Sequence, residues 1–265
     1  MGILNVTPDS FSDGGKFLDP GPAAARALQM QREGADFIDI GGESSRPGSR
    51  PVTSKEEIRR IRPVLKRIAG RVQIPVSVDT WKYDVASMAL DEGASLINDI
   101  YGLRSGKKLA RLIARHRAGV ILMHMKGTPR TMQNKTAYKN IEAEIKASLR
   151  KSVETALEAG ISRRSIVVDP GFGFGKSVAQ NQWMLAHLDV FSALGFPVLA
   201  GLSRKSFIGH VLGGAPADRL YGSLGAAAAA IARGAHILRV HEVLPHRQLA
   251  VMMDTAPGYA ADTLK

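Results

Sequence analysis

The sequence predicts an α/β protein that forms a single (β/α)₈ barrel over residues 1–265, with its active site at the C-terminal ends of the strands. Three observations support this prediction. Short apolar runs alternate with amphipathic segments, five turns from helix to strand carry a glycine, and the segments from strand to helix are long and rich in Pro, Gly and Ser. Because the long connections all fall on one side of the predicted barrel, that side is expected to carry the function.

Eight apolar runs are the candidate strands. The pattern is clearest over residues 165–176, S-I-V-V-D-P-G-F-G-F-G-K, where an apolar run leads into an aspartate and a Gly-rich loop. An apolar run closed by Gly and Pro is typical of a parallel strand that is buried on both faces. The predicted strands are residues 2–6, 36–41, 75–80, 96–100, 120–125, 166–169, 197–202 and 237–241.

The segments between these runs have helical periodicity and recognisable ends. Ile58, Ile61 and Leu65 recur at helical spacing, and the capping-box spacing that starts at Thr53 opens this helix. At the other end of a helix, glycine can adopt the left-handed conformation that terminates it. Five glycines are predicted to do so just before a strand, namely Gly34, Gly93, Gly160, Gly195 and Gly234.

The amino-acid composition reduces the number of protein classes to which this chain could belong. The net charge is +12, from 36 Lys and Arg against 24 Asp and Glu, but most of it lies on helix-patterned segments. Because no aromatic and basic residues are interleaved, we expect no nucleic acid as a partner. The absence of cysteine excludes disulfides and thiolate chemistry and fits a reducing compartment. With no signal peptide or membrane span in the sequence, we expect a cytoplasmic protein without membrane contact.

One set of strand-end residues is suited to a flat heterocycle. In a barrel of this type, side chains at the ends of different strands converge on one cavity. A carboxylate can accept two N–H groups from an amino-imine edge, while an amide and an ammonium can read the rest of the ring. The candidates for this role are Asp79, Asn98, Asp169 and Lys205.

A second set is suited to a phosphorylated group. Asn5 offers a neutral oxygen ligand, Arg239 a guanidinium and His241 an imidazole. These groups fit phosphate oxygens and an accompanying Mg²⁺. A heterocycle that carries a phosphate or diphosphate would use both sets, so the sequence predicts such a molecule as the substrate.

Simpler interpretations remain open for several of these residues. Asp79 and Asp169 could cap the helices that follow them, and Asn98 and Asp99 could form turns. His124 is expected to make a local hydrogen bond or to pack. Two phosphate-binding motifs are excluded, since Pro170 occupies the place of the first Walker glycine and the G-x-G-x-G spacing misses the dinucleotide fingerprint.

Taken together, these stretches resemble the dihydropteroate synthase family of pterin-binding barrels. The matching segments are M-G-I-L-N-V-T-P-D-S-F-S-D-G-G at 1–15, G-G-E-S-S-R-P-G at 41–48, S-V-D-T at 77–80, D-P-G-F-G-F-G-K at 169–176, S-R-K-S at 203–206 and R-V-H at 239–241, with shorter matches at 97–100 and 122–125. They run from the first residue to the eighth predicted strand. Each is weak alone, but in this order they are specific to the family.

The resemblance implies a transferase of folate biosynthesis. Such an enzyme joins 4-aminobenzoate to 6-hydroxymethyl-7,8-dihydropterin diphosphate with Mg²⁺, and it releases pyrophosphate in an SN1-like reaction. The resemblance also implies a homodimer, and it makes the loops that surround aminobenzoate a place where sulfonamide sensitivity is set.

The family assigns roles to residues by position. Catalysis is implied for Asp79, Asp169, Lys205, Arg239 and His241, and the diphosphate contacts Asn5, Arg239 and His241, with Asn5 also the Mg²⁺ ligand. The pterin contacts Asp79, Asn98, Met123, Asp169 and Lys205. The aminobenzoate is surrounded by Phe11, Ser45, Arg46, Pro47, Phe174 and Ser206.

The chain departs from the family pattern in places, and two other functions stay open. Ser45 stands where the family usually has Thr, and Trp81 stands where a small or polar residue is usual. Family members usually begin with a strand or hairpin ahead of the first matching segment. One alternative is a methyltetrahydrofolate:corrinoid methyltransferase on a similar barrel, against which the loops at 7–15 and 203–206 argue. The other is a basic barrel that binds a polyanion, for which only the net charge argues.

Overall fold

The structure is a computed structural model that describes residues 1–7, 20–46, 48–134, 136–215 and 218–256. All eight predicted strands are present in it, each shorter than its apolar run or equal to it. The strands are β1 Gly2–Asn5, β2 Ile38–Gly41, β3 Val76–Asp79, β4 Leu96–Asp99, β5 Gly119–Met123, β6 Ile166–Asp169, β7 Leu199–Ala200 and β8 Ile237–Leu238.

The strands pair in parallel and in chain order. β1 to β6 form one sheet, and β7 pairs with β8. Parallel bridges join the two sheets at both seams, Val168 to Val198 on one side and Gly2 to Val240 on the other. Backbone hydrogen bonds support these seams, including Ile3 N–H to the Val240 carbonyl at 2.8 Å. The eight strands therefore follow one another in a cycle, which confirms the predicted (β/α)₈ barrel.

Nine α-helices lie in the described part of the chain. They are α1 Pro20–Arg32, α2 Ser54–Ile68, α3 Tyr83–Asp91, α4 Lys107–Arg115, α5 Ile141–Glu158, α6 Val178–Ala186, α7 Ser206–Leu212, α8 Leu220–Ala232 and α9 Val243–Thr255. No helix among the described residues combines the length and the apolar character needed to span a bilayer.

The helix ends follow the sequence signals. The Thr53 side chain accepts the Glu56 N–H at 3.2 Å at the start of α2, but the Glu56 carboxylate turns to Arg59 and Arg60, so only half of the predicted capping box forms. The predicted terminating glycines all have positive φ angles, between 73° and 95°. In these short turns the chain passes directly from a helix into the next strand. The long loops therefore lie at the opposite end of the barrel.

The strand register brings several predicted site residues to one level of the barrel. Asn5 lies opposite Gly41, Gly41 opposite Asp79, and Asp79 opposite Asn98. Asp169 lies opposite Met123 at the end of β6. Since these residues end their strands or lie one position before the end, the fold gathers them at the C-terminal mouth of the barrel, as predicted.

Candidate active site

One guanidinium joins two carboxylates at the centre of the barrel mouth. Arg239 follows β8, and its Nε donates to Asp39 Oδ2 at 2.6 Å while its Nη2 donates to Asp79 Oδ2 at 2.8 Å. A planar guanidinium can make two such bonds at once because its donors diverge in a fixed fork. The sequence prediction named Arg239 and Asp79 but missed Asp39.

Asp39 connects the two predicted sets of residues. It is fully buried within β2, and the same Oδ2 that binds Arg239 also accepts Asn98 Nδ2 at 2.9 Å. It therefore fixes one residue of the predicted phosphate set and one of the predicted heterocycle set. Its Oδ1 has no hydrogen-bond partner among the described residues. The available sequence signal was a lone carboxylate inside an apolar run, which a buried strand does not need for packing.

Burial and charge act against each other in this cluster. Burial raises the pKa of Asp79 to about 7, even though the adjacent Arg239 favours its ionised form. Burial alone would lower the pKa of Arg239, but the carboxylates of Asp39 and Asp79 outweigh it and raise this pKa. The guanidinium is therefore charged at any working pH.

The loop after β6 is held in shape by its own backbone and one lysine. Asp169 Oδ1 accepts the Gly171 N–H at 2.7 Å. Gly171 has a φ of +74°, and a Cβ there would lie 2.0 Å from the His124 carbonyl oxygen, so the turn requires glycine. Lys176 is buried, and its Nζ donates to the carbonyls of Gly171 at 2.8 Å and Phe174 at 3.0 Å.

His124 completes this internal contact. Its Nδ1 lies 3.1 Å from Lys176 Nζ. Burial, with Lys176 next in importance, lowers the pKa of His124 to about 2, so the ring stays neutral and its Nδ1 can accept a hydrogen bond from the Lys176 ammonium. Burial also lowers the pKa of Lys176 to about 7. The expectation of a local hydrogen bond for His124 is therefore confirmed.

Lys205 lies beside the Phe174 ring of the loop after β6. It precedes α7, and its Nζ lies 4.2 Å from the centroid of the Phe174 ring. Burial lowers the pKa of Lys205 to about 8, with Arg239 acting in the same direction and the charges of Asp169 and Asp79 opposing it. Burial likewise raises the pKa of Asp169. Beneath these groups lies an apolar cluster of Ile100, Met123, Met125, Met132 and Phe174.

A serine orients the His241 ring. Ser203 Oγ accepts the His241 backbone N–H at 3.2 Å and lies 2.9 Å from His241 Nδ1. The same oxygen lies 3.4 Å from Glu242 Oε2, so its single proton can go to either neighbour, and Ser203 holds the ring in place without selecting its tautomer. Burial, followed by the charge of Arg204, lowers the pKa of His241 to about 3. The ring is therefore neutral at working pH.

The barrel mouth also offers oxygens for a cation. An added Cβ on Gly41 would lie 3.7 Å from Asn5 Oδ1 and 3.9 Å from Asp79 Oδ2, so these two oxygens flank the same bare stretch of strand. Among the described residues no three His, Asp or Glu side chains cluster as a metal site. Mg²⁺ is commonly bound by one or two protein oxygens together with phosphates and water, and the oxygens of Asn5 and Asp79 are suited to that kind of site.

The predicted aminobenzoate residues lie on several loops. Ser45 lines a cavity of about 300 Å³. The positive charge of Arg46 helps to lower the pKa of His241, so Arg46 acts electrostatically on a residue of the predicted phosphate set. Phe174 packs in the apolar cluster and Ser206 is exposed at the first turn of α7. Phe11 and Pro47 lie outside the described residues.

The cavity opens between the loops that follow β2, β3, β4 and β5. Its wall includes Asp79, which connects it to the central cluster, and Trp81, which makes an edge-on contact with Tyr101 at 5.1 Å between ring centroids. The residue that departs from the family pattern at position 81 therefore forms part of the cavity wall. The cavity is lined by Glu43, Ser44, Ser45, Ser49, Pro51, Glu57, Asp79, Thr80, Trp81, Ile100, Tyr101, Thr128, Pro129 and Arg130.

The structure decides between site and structural roles for several residues. The N-cap of α3 is Lys82 and that of α6 is Ser177, so the interpretation of Asp79 and Asp169 as helix caps is wrong. Asp99 does form a turn, since its carboxylate accepts the N–H groups of Tyr101 at 2.8 Å and Leu103 at 2.7 Å. Burial raises the pKa of Asp99 to about 6.

The role of Asp39 can be tested against a neighbour on the same segment. Asp39→Asn removes the charge that holds Arg239 and Asn98, so we expect the free energy of unfolding to fall by about 1.5–3 kcal/mol. Asp36→Asn changes an exposed carboxylate 3.8 Å from Arg247, and we expect a change within about 0.5 kcal/mol. Urea unfolding of both variants measures the difference. Equal losses would contradict a bracing role for Asp39.

Comparison with known proteins gives a consistent answer. A family model described as pterin binding enzyme matches residues 1–241. The dihydropteroate synthase of Bacillus subtilis is 44% identical over 254 residues, which cover 96% of this chain and 87% of that protein. The dihydropteroate synthase of Escherichia coli K12 is 45% identical over 245 residues, or 92% of this chain and 86% of that protein.

Solved structures agree with the sequence relatives. Dihydropteroate synthase from Clostridium difficile, crystallised in the presence of pteroic acid, matches with a TM-score of 0.90 and 44% identity over 96% of this chain and 94% of that one. The Xanthomonas albilineans enzyme with 4-aminobenzoic acid matches with a TM-score of 0.89 and 44% identity over 97% and 93%. The chain therefore belongs to the family of pterin-binding enzymes, and within it to the dihydropteroate synthases.

Proposed function

We propose that this chain condenses 4-aminobenzoate with 6-hydroxymethyl-7,8-dihydropterin diphosphate to give 7,8-dihydropteroate and pyrophosphate. The single observation that carries the proposal is the cluster in which Arg239 joins Asp79 directly and Asn98 through Asp39. It couples groups that suit a heterocycle to a group that suits a diphosphate, and the substrate has both parts.

The pterin would lie against the carboxylates and the apolar cluster. Arg239 contacts Asp79 through Oδ2, so the other oxygen of this carboxylate can accept N–H groups of the amino-imine edge. Asn98 and Asp169 would add an amide and a carboxylate, and Lys205 a donor. Met123 and Phe174 belong to the buried apolar cluster below, which would support the ring plane.

The diphosphate would lie at the other side of the cluster. Arg239 would contact its oxygens, and the His241 ring, which Ser203 holds in place, would donate to it in the tautomer that carries the proton on Nε2. Asn5 would supply a Mg²⁺ ligand, with Asp79 Oδ2 near the same stretch of strand. When bound there, Mg²⁺ neutralises charge on the pyrophosphate oxygens.

The chemistry breaks one C–O bond and forms one C–N bond. The bond from the pterin methylene to the diphosphate oxygen breaks first, and its electron pair leaves with pyrophosphate. Arg239 and His241 would stabilise the charge on that leaving group, while Asp79 and Asp169 would stabilise the cationic pterin. The amine of aminobenzoate then attacks the methylene and loses a proton to solvent. Because an arylamine has a lone pair at neutral pH, no side chain is needed as a strong base.

The aminobenzoate would enter from the loops. Ser45 and Arg46 on the β2–α2 loop, Phe174 and Ser206 are the described residues that we assign to it, with Phe11 and Pro47 added from the sequence. Loop closure would exclude water, the competing nucleophile for the cation. A related Yersinia pestis structure is described as a sulfonamide drug complex, and we propose that sulfonamides bind at this position here.

Further properties complete the proposal. Exposed apolar side chains on α7, α8 and α9, with Leu212 63%, Tyr221 84% and Met252 69% exposed, favour a homodimer through that face. The lack of cysteine favours the cytoplasm. The absence of a nucleic-acid partner and the single-domain organisation over residues 1–265 stay predictions.

Turnover with and without aminobenzoate tests the proposed reaction. Pyrophosphate release should depend on aminobenzoate and Mg²⁺, and Lys205→Ala should lower kcat/KM by roughly 100-fold or more because a donor to the substrate is lost. Lys107→Ala, which removes an exposed lysine paired with Glu158, is the matched control and should leave turnover unchanged. Pterin binding without turnover would favour the methyltransferase alternative, and the absence of pterin binding would exclude both.

The pKa shifts predict a bell-shaped dependence of kcat/KM on pH. Asp79 must be ionised to accept pterin N–H groups, so activity should rise as pH passes its pKa of about 7. Lys205 must be protonated to donate, so activity should fall as pH passes its pKa of about 8. In Lys205→Arg the guanidinium stays protonated, so the alkaline fall should disappear whatever the residual rate. An unchanged alkaline limb in this variant would assign it to another group.

A further inference from the structure

Lys82 makes three contacts from a buried position that the reaction scheme does not use. It immediately precedes α3, and its side chain is 8% exposed. Its Nζ donates to the carboxylates of Glu43 and of Glu57, the latter at 2.6 Å, and to the Val52 carbonyl at 2.7 Å. An ammonium has three N–H donors, so this lysine is fully engaged.

The three acceptors come from the two ends of one loop. Glu43 lies two residues after β2, Val52 lies just before the Thr53 N-cap of α2, and Glu57 lies in the first turn of α2. One ammonium therefore ties both ends of segment 43–52 to the start of α3. That segment carries Ser45 and Arg46.

The described residues in the middle of the same segment make contacts of their own, including a bond from the Ser49 N–H to the Arg46 carbonyl at 3.1 Å. Ser49 Oγ donates to the Ser44 carbonyl at 2.5 Å within the segment itself. The Gly48 N–H donates to the Pro129 carbonyl of the β5–α5 loop at 3.2 Å, which is long for such a bond. None of these contacts involves Lys82, so among the described residues this lysine holds the base of the segment.

The charges of Glu43, Glu57 and Lys82 make the anchored ends of segment 43–52 sensitive to loss of the lysine. Two carboxylates share one ammonium, and Glu57 is only 1% exposed. Burial raises the pKa of Glu57, and the contact with Lys82 opposes that shift. Without the lysine, each carboxylate would have to become hydrated or rotate toward solvent. Because Glu43 belongs to segment 43–52, its rotation would displace that segment.

We propose that Lys82 is a positioning residue that fixes the base of segment 43–52, so that Ser45 and Arg46 meet the aminobenzoate in a defined place. The proposal rests on the aminobenzoate site assigned above. It requires that weakening the contact harms the use of aminobenzoate and spares the pterin, since Lys82 has no contact with Asn98, Asp169 or Lys205 in the described structure.

Two variants weaken the contact from its two sides. Glu43→Ala removes the loop carboxylate but leaves the buried pair of Lys82 and Glu57, so the protein should fold. Lys82→Arg keeps the charge but replaces a compact ammonium by a planar group that cannot reach the same three oxygens. Glu43→Gln retains an acceptor and should recover part of the loss. Glu92→Gln, which removes the partner of Arg62 away from this segment, is the matched control.

The expected result is a separation of two substrates. In Glu43→Ala and Lys82→Arg the KM for aminobenzoate should rise about tenfold, the loss expected for one hydrogen bond to a charged group. The Kd of an unreactive pterin should stay within about twofold. Hydrogen exchange should accelerate in peptides that cover residues 43–52, and Glu92→Gln should change none of these quantities.

The same experiments separate two kinds of failure. If both variants keep the wild-type KM and the wild-type exchange over residues 43–52, Lys82 does not position this segment. If exchange accelerates there while the KM for aminobenzoate is unchanged, the contact is structural only and the proposal is wrong. If the wild type itself forms no dihydropteroate, the proposed function fails, whatever the exchange data show about the loop.

Discussion

The site depends on the sharing of one partly buried guanidinium between two carboxylates. Arg239 arrives from β8, Asp39 from β2 and Asp79 from β3, and Asp39 also reaches Asn98 on β4. Buried charges are stable only when they are paired and hydrogen-bonded, so the cluster constrains these strands to one relative position. The protein side chains that we propose to bind the pterin and the diphosphate are therefore oriented by the same carboxylate, that of Asp39.

The two sides of the barrel mouth are stabilised by lysines in different ways. Lys176 is enclosed by backbone carbonyls of the β6–α6 loop and by neutral His124, which makes a rigid wall for the proposed pterin site. Lys82 instead holds the base of segment 43–52. The two lysines therefore fix the loop beside the proposed pterin site and the base of the segment that carries Ser45 and Arg46.

Much of the fold was predictable because its signals are local. Apolar runs marked all eight strands, and glycines with positive φ marked the helix ends at the predicted places. Once the strands are parallel in chain order, residues at their ends must converge, which is why Asp79, Asn98 and Asp169 could be grouped from sequence. The family resemblance then gave these groups their expected substrates.

What could not be predicted depends on contacts between residues far apart in the chain. Asp39 looked like part of an ordinary core strand, and its partner Arg239 is 200 positions away. Lys82 and Lys176 looked like ordinary helix-flanking cations, since their burial follows only from how the loops pack. The helix-cap interpretation of Asp79 and Asp169 failed because Lys82 and Ser177 occupy the cap positions.

The most direct test of the shared guanidinium is the affinity of Arg239→Lys for two separate ligands, inorganic pyrophosphate and an unphosphorylated pterin, measured by calorimetry. Lysine keeps the charge but cannot hold Asp39 and Asp79 together. If one group orients both halves of the site, both affinities should fall, that for the pterin by about tenfold. A loss of pyrophosphate affinity with an unchanged pterin affinity would contradict the account, because the two halves would then be independent.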